Sequence, residues 1–487
     1  MTQGVALGND QIWVCIVLTL LVGCATWWKI HGAGGRRANS NKEYFLAGKG
    51  LSWVFVAGAI TVTNLSTEQL VGMNGNQLAV VAWWELSAVV GLTMLATVFL
   101  PIYYRNNCTT VTELLEKRYG NVHVRAVIGS IFLIGNIVIY QPIMLYTGAL
   151  FMKSMFGLGT PIIVLAAIFA LAGGAYAILG GLRAVAVSDT YSGVLLLGMC
   201  TLVVYLALAA VNFDLSGIPP ERLTMIGGPN SPIPWPTLLT GMIFIQMFYW
   251  STNQNITQKA MAAPTLREAQ KGILAAGVIR VLIVPPMVVL PGIVSYKLFG
   301  PIGDLAYGRI VATVLPHWLA GLFAAAIASA VLAHFASAVN SSASLYVCDL
   351  HETYIDPKPD VVRLSRWISL GVCVVAVLLV PVYDGAASII NLVQQLNGLS
   401  SMPILSVFIV CLLFNNVDAR AAITGLVVGV GIYAVFTFVW TPVHYIHLMA
   451  VTLFMSVGVS LAVNRWVFGR RAEPLFGRVA RLRRAAG

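Results

Sequence analysis

The sequence predicts an all-α polytopic membrane protein of about thirteen transmembrane helices, and three observations carry that prediction. Of its 487 residues 58% are apolar and only 10% charged, with a mean hydropathy of +0.84, a balance that soluble domains of this length do not show. The apolar residues fall into runs near the roughly 20 residues a helix needs to cross the hydrocarbon core. Two of those runs are interrupted by polar residues and glycine at membrane depth, where irregular backbone survives only against protein or a water-filled cavity.

The runs lie at 11–29, 52–75, 78–102, 125–155, 161–182, 187–212, 236–255, 272–298, 316–347, 366–385, 387–414, 420–440 and 443–468, the longer ones tilting or extending past the interface. The first follows a head with Asp10 and no Lys or Arg, the wrong charge pattern for a cleaved signal peptide, and reads as a retained helix. The connectors on one side collect most basic residues, from Lys29, Arg36 and Arg37 through Arg118, Lys259 and Arg363 to the cluster ending at Arg484; the other side holds Lys153, Arg222, Lys297 and Arg309. This asymmetry predicts a multi-pass protein of the cell inner (plasma) membrane with its N-terminus outside and its C-terminus in the cytoplasm.

The same bias accounts for the net charge of +11 without a nucleic-acid partner. The dense tail "GRRAEPLFGRVARLRR" suits anionic headgroups instead. Seven scattered cysteines argue against disulfides and metal sites. No GxSxG elbow, P-loop, HExxH or Cys/His ligand set is present, so an enzyme is not expected, nor a cofactor. His444 and His447, beside Trp440 and Tyr445, read as interface anchors rather than metal ligands. The bilayer and a small solute are the expected partners, with no obligatory protein partner evident.

The first interruption is "TNLSTEQLVGMNGN", residues 63–76, and the second is "TGMIFIQMFYWSTNQNITQ", residues 240–258. Paired broken helices are the best sequence pointer to a transporter's site. Five helices separate the start of one from the start of the other, which fits a five-plus-five inverted repeat. Lacking a P-loop, such a protein works from an ion gradient or runs downhill. Other polar residues at depth are functional hypotheses by default. Glu85 has no base nearby in sequence and is either functional or a protonated or backbone-bonded structural acid. Arg280 keeps its charge and needs a carboxylate, carbonyls or water. Gln394 and Gln395 serve either a ligand or helix association.

The stretches "NKEYFLAGKGLSW", "TNLSTEQLVGMNG", "LPIYYRNNCTTVTELLEKRYG", "YAILGGLRAVAVSDTYSGVLLL", "YWSTNQNITQKAMAAPTLREAQKG" and "NSSASLYVCDLHETY" cover residues 41 to about 415. On these the chain resembles the sodium/solute symporter family, in particular its sodium/sugar (glucose/galactose cotransporter-like) branch. The resemblance implies a leucine-transporter-type fold: residues 1–51 an extra helix and cytoplasmic loop, 52–212 and 213–414 the two inverted repeats, and 415–487 two further helices and a basic tail. It implies a symporter that imports a small neutral sugar or polyol with a cation. The substrate residues it implies are Asn64 and Gln69 on the first broken helix, Glu85 on the next, Gln246 on the sixth core helix and Gln394 on the tenth. Tyr249 is its implied lid on the cytoplasmic side, with Trp250 stacking on a pyranose face. Amides and a carboxylate suit a polyol, because each hydroxyl left unpaired costs about 1–3 kcal/mol.

Three departures stand out. The stretch from Gln69 to Glu85 is about three residues short of the sugar transporters' spacing. Arg280 replaces the family's lysine, which keeps a symporter of sugar acids or other carboxylates open as an alternative. The implied sodium site combines carbonyls of Val62 and Leu65 with helix-eight positions that here are Ala330, Ala333 and His334, so both hydroxyls are gone. An imidazole there titrates near neutral pH, and Asp189 matches the family aspartate near the ion's exit. Coupling to a proton through His334 and Asp189 is therefore one expectation. Sodium, completed by Ser329 or Ser337 after a slip in register, is the other. A non-transporting sugar sensor of the same fold is a further reading.

Overall fold

The computed structural model describes residues 45–386 and 388–475, with Trp13, Val14, Val17 and Leu21; the side chains at 62, 179–189, 191 and 192 are outside that description. The first expected helix, apart from those four positions, and the basic tail beyond 475 are likewise outside the described residues. Among the described residues nine helical stretches are long and apolar enough to cross a membrane.

In chain order the main helices are α1 (Trp53–Asn64), α2 (Thr67–Asn76), α3 (Ala79–Arg105), the short α4 (Val111–Tyr119), α5 (Val122–Phe156) and α6 (Ile162–Ala210). The second part holds α7 (Gly241–Ser251), α8 (Gln254–Met261), α9 (Leu266–Phe299), α10 (His317–Tyr354), α11 (Val361–Tyr383) and α12 (Ile389–Leu413). It is followed by α13 (Ala419–Val439) and α14 (Tyr445–Trp466). A pair of two-residue strands, Phe414–Asn415 and Glu473–Pro474, closes antiparallel behind α14. The centre is α10: 94% of its most apolar window is buried, against 28% for peripheral α13.

One expectation is corrected. The break between the fourth and fifth core helices is absent, because the run Ile162–Ala210 is helical throughout. The connecting stretch "LGGLRAVAVS" contains no proline, and its Ala, Leu and Arg residues favour helix enough to carry the backbone across Gly180 and Gly181.

Proline shapes the helices that surround the centre. Pro142 has no N–H to donate to the carbonyl four residues back, and α5 widens into a π-turn over Asn136–Tyr140. The freed Val138 carbonyl accepts from Tyr383 Oη at 2.5 Å. In α9, Pro291 leaves the Met287 carbonyl free in the same way, and Asn74 of α2 fills the gap. Its Nδ2 donates to Met287 O at 3.1 Å while its Oδ1 accepts from Gly292 N at 2.7 Å. A Cβ at Gly292 would overlap the Asn74 backbone, so glycine there permits the contact. This is how the polar "GMNGN" segment docks inside the membrane without orphaned amides.

At one end of the bundle, Asp349 of α10 accepts from Thr110 Oγ1 at 2.8 Å, from Thr112 Oγ1, and from Arg125 Nε at 2.8 Å. Arg125 also donates to Glu116 Oε2 at 2.9 Å. The cluster ties α4 and α5 to α10. At another connector, Asp304 Oδ2 accepts from Ile389 N at 2.9 Å and starts α12.

Two outcomes follow. Asp349→Ala leaves Arg125 without its buried carboxylate and is expected to destabilise the protein by about 3 kcal/mol, read as a lowered unfolding midpoint in detergent. Burial raises Asp304 from 3.8 to about 6, so across that window the folded state keeps a proton the unfolded chain has lost. Stability therefore falls as pH rises through the window, and Asp304→Asn is expected to flatten that slope in pH-dependent melting.

Candidate functional site

Both interruptions read from the sequence are breaks in the helix. After α1 the chain turns non-helical at Leu65 (φ −79°, ψ 67°) and Ser66 (φ −99°, ψ 172°) before α2 begins. After α7 it does so at Thr252 (φ −126°, ψ −7°) and Asn253 (φ −74°, ψ 123°). Each break exposes helix-end groups that need partners. Asn253 Oδ1 caps α8 by accepting from Asn255 N at 3.0 Å, and the Ser251 carbonyl accepts from Tyr103 Oη at 2.9 Å. Thr67 Oγ1 lies 3.0 Å from Thr147 Oγ1, which fastens α2 to α5.

A small cavity of about 50 Å³ is bounded by these two broken helices together with α3, α5 and α12. Asn64, Gln69, Gln246, Tyr249, Trp250 and Gln394 all line it. The adjacent Gln395 does not; it faces a separate pocket with Asn391 and His444, since one residue along a helix turns the side chain by about 100°.

Gln246 is held from two sides. Its Nε2 donates to Trp84 O at 2.7 Å and to Ser87 Oγ at 2.8 Å, and its Oε1 accepts from Trp250 Nε1 at 2.9 Å. The close approach of α3 to α7 needs Gly91, where a Cβ would strike Gln246 O and the Trp250 ring.

Glu85 and Arg280 do not line the cavity. They sit behind it, both fully buried, with Arg280 Nη2 donating to Glu85 Oε2. The acid that has no base in its own stretch of sequence thus finds one on α9, and the arginine finds the carboxylate it requires. Nη1 also donates to Thr61 O at 3.4 Å, and the guanidinium carbon lies 4.9 Å from the centroid of the Trp250 ring, a cation–π contact. Arg280 therefore packs against the buried Trp250 ring. The Asn64 amide, oriented from its hydrogen-bond network, accepts from Arg280 Nη1 at 3.0 Å and donates to Tyr249 Oη at 2.7 Å. The ion pair is thereby coupled to the cavity wall.

Sequence reasoning missed four lining residues that carry chemistry: Glu68, Trp84, Tyr140 and Asn397. Asn397 stands three residues from Gln394 and shares its helix face, while Glu68 directly precedes Gln69 on the first turn of α2. Tyr140 is displaced inward by the π-turn before Pro142, a signal present in "NIVIYQP".

Of the residues implied for the ion, Leu65 follows α1, and Ala330, Ala333 and His334 are buried in α10, which packs against α1 and α8. His334 Nδ1 has no hydrogen-bond partner, and neither has Ser329 Oγ. The Val62 and Asp189 side chains lie outside the described residues. Lys259, which the charge pattern assigns to a cytoplasmic connector, is instead fully buried in α8. Its Nζ donates to Thr63 Oγ1 on the last turn of α1, and it lies within electrostatic range of His334.

Comparison with known proteins places this geometry. The chain is 33% identical over 94% of its length to YidK, an uncharacterised symporter of Escherichia coli (strain K12), and covers 84% of it. It is 28% identical over 92% of its length to the sodium/glucose cotransporter of Vibrio parahaemolyticus, covering 89% of that protein. With sodium/myo-inositol cotransporter 2 of Rattus norvegicus it shares 30% identity over 80% of this chain and 64% of the relative. In structure it matches a Na⁺-coupled sialic acid symporter in a substrate-bound, outward-open state, with a TM-score of 0.80, 17% identity, and coverage of 96% and 100% of the two chains; the fold is of the leucine-transporter type. The sodium:solute symporter family model matches residues 44–429, and the chain belongs to that family.

Proposed function

We propose that this symporter imports a small neutral sugar or polyol together with a cation, by alternating access in which residues 52–212 and 213–414 rock about the cavity as two inverted repeats. The observation that carries this reading is the charge balance of the cavity. Among the described residues its polar lining is amides, phenols, indoles and one carboxylate, with no Lys, Arg or His. Fixed amides offer both donors and acceptors to hydroxyls, and aromatic faces suit the apolar face of a ring. The cotransporters of glucose and of myo-inositol among the relatives add support.

The rival substrate, a sugar acid held by Arg280, is disfavoured by geometry. Arg280 stands behind Asn64 and Trp250 and is already paired with Glu85. An entering carboxylate would meet Glu68 before it met a cation. Tyr249, joined to Asn64, is suited to act as the lid on the cytoplasmic side. The basic-residue asymmetry supports an inner-membrane protein with its N-terminus outside and its C-terminus in the cytoplasm.

Sodium is the family's usual coupling ion. Here the helix-eight positions implied for it are Ala330, Ala333 and His334, which supply no hydroxyl, and the buried Lys259 ammonium of α8 donates to Thr63 on the last turn of α1. Both features favour a proton as the coupling cation, with His334 and Asp189 as one place for it. Ser329, with its unpartnered hydroxyl, is what favours the sodium alternative.

Uptake into proteoliposomes tests both parts. Unlabelled galactose or myo-inositol is expected to compete with labelled glucose, and glucuronate is not; strong competition by glucuronate alone would overturn the neutral-substrate reading. Imposed separately, a proton gradient is expected to drive concentrative uptake and a sodium gradient is not; loss of proton-driven uptake in His334→Ala would assign the coupling proton to that imidazole. Sodium-driven uptake indifferent to that substitution returns the protein to the usual family coupling.

A further inference from the structure

The reading above leaves one buried acid without a task. Glu68 is the only acid lining the cavity among the described residues; it is 9% exposed, and its Oε2 has no hydrogen-bond partner. It stands on the first turn of α2, immediately after the break, beside Gln69. From α5 it faces the Tyr140 phenol, from α7 the Tyr249 phenol, and from α12 the amides of Gln394 and Asn397. From α9 the nearest charge is Arg280, which Glu85 already compensates. Asp304 is two turns away, beside Gly75 at the far end of α2. Among the described residues no cation lines the cavity to balance a carboxylate, and an intramembrane acid in that position is suited to a proton relay.

We propose that Glu68 takes up the coupling proton as the sugar binds, so that proton and sugar share one cavity; this rests on the reading of the protein as a sugar symporter. In the chemical step a proton from solvent forms an O–H bond at a Glu68 carboxylate oxygen, taking the group from −1 to 0, and the same bond breaks to release it on the other side. Nothing is oxidised or reduced. The neutral acid is both donor and acceptor, so it can bond a sugar hydroxyl in either sense. When the cavity closes and water leaves, an ionised Glu68 would be sealed away from counter-charge, whereas the protonated form crosses without that penalty. Sugar and proton are then thermodynamically linked through direct contact. His334 offers no such link, because it does not line the cavity.

The test is isothermal titration of the purified full-length protein with galactose, and with myo-inositol as a second probe, in buffers of different ionisation enthalpy. Wild type is expected to take up close to one proton per sugar bound, with affinity weakening up to about tenfold per pH unit once Glu68 is ionised. Glu68→Gln abolishes the uptake, while Glu68→Asp, which keeps an acid at the position, retains it with a shifted midpoint. Proton uptake that survives in Glu68→Gln, or that is lost in His334→Gln and follows that residue's titration, overturns the inference. Sugar binding with no proton uptake in wild type overturns it too and leaves the sugar reading intact. No binding of either probe to wild type removes the sugar reading and the inference together.

Discussion

Backbone amides and carbonyls that lose their helix partners inside a membrane must find others, because the bilayer core offers no water to replace them. The two breaks, at Leu65–Ser66 and at Thr252–Asn253, impose that requirement on this chain, and much of the site answers to it. Asn253 caps one fragment, Tyr103 takes an orphan carbonyl from another, and Thr67 meets Thr147 across the wall. The polar residues gathered at the breaks then surround a space, and that space is the cavity. A polar-lined cavity is thus the by-product of repairing two interrupted helices.

Charge obeys the same economy. Arg280 and Glu85 are 195 residues apart in sequence and neutralise each other in the interior. Such a pair gains little net stability over apolar residues of the same volume, while removing either partner leaves a buried charge exposed to the full cost of desolvation. The pair's value lies in what it organises: Asn64 and the Trp250 ring both rest on the guanidinium, so one neutral unit orients two walls of the cavity.

Local features of this architecture were legible in the sequence. Hydropathy located the helices, the two polar interruptions located the breaks, and six assigned residues line one cavity because their motif spacing preserves their helix faces. What was not legible depends on contacts between distant segments. Glu85 reads as an isolated acid until α9 brings Arg280 to it. Lys259 reads as one of many basic connector residues, yet α8 carries it into the interior against Thr63. The choice of Gln394 over Gln395 came from the family resemblance, since composition does not report the rotation of α12. The missed helix between 161–182 and 187–212 shows the converse error: a basic residue between two apolar runs suggests a loop, but without proline the backbone has no reason to leave the helix.

The most direct measurement of the central claim, that the cavity between the breaks holds a neutral polyol, is substrate protection. In a variant lacking the native cysteines, with a single cysteine at Val393 on the cavity wall, alkylation is followed with and without galactose or myo-inositol. The account predicts that one of these neutral polyols slows labelling in a saturable way and that glucuronate does not. A sugar that binds the protein with measurable affinity yet leaves the rate of labelling unchanged would contradict it.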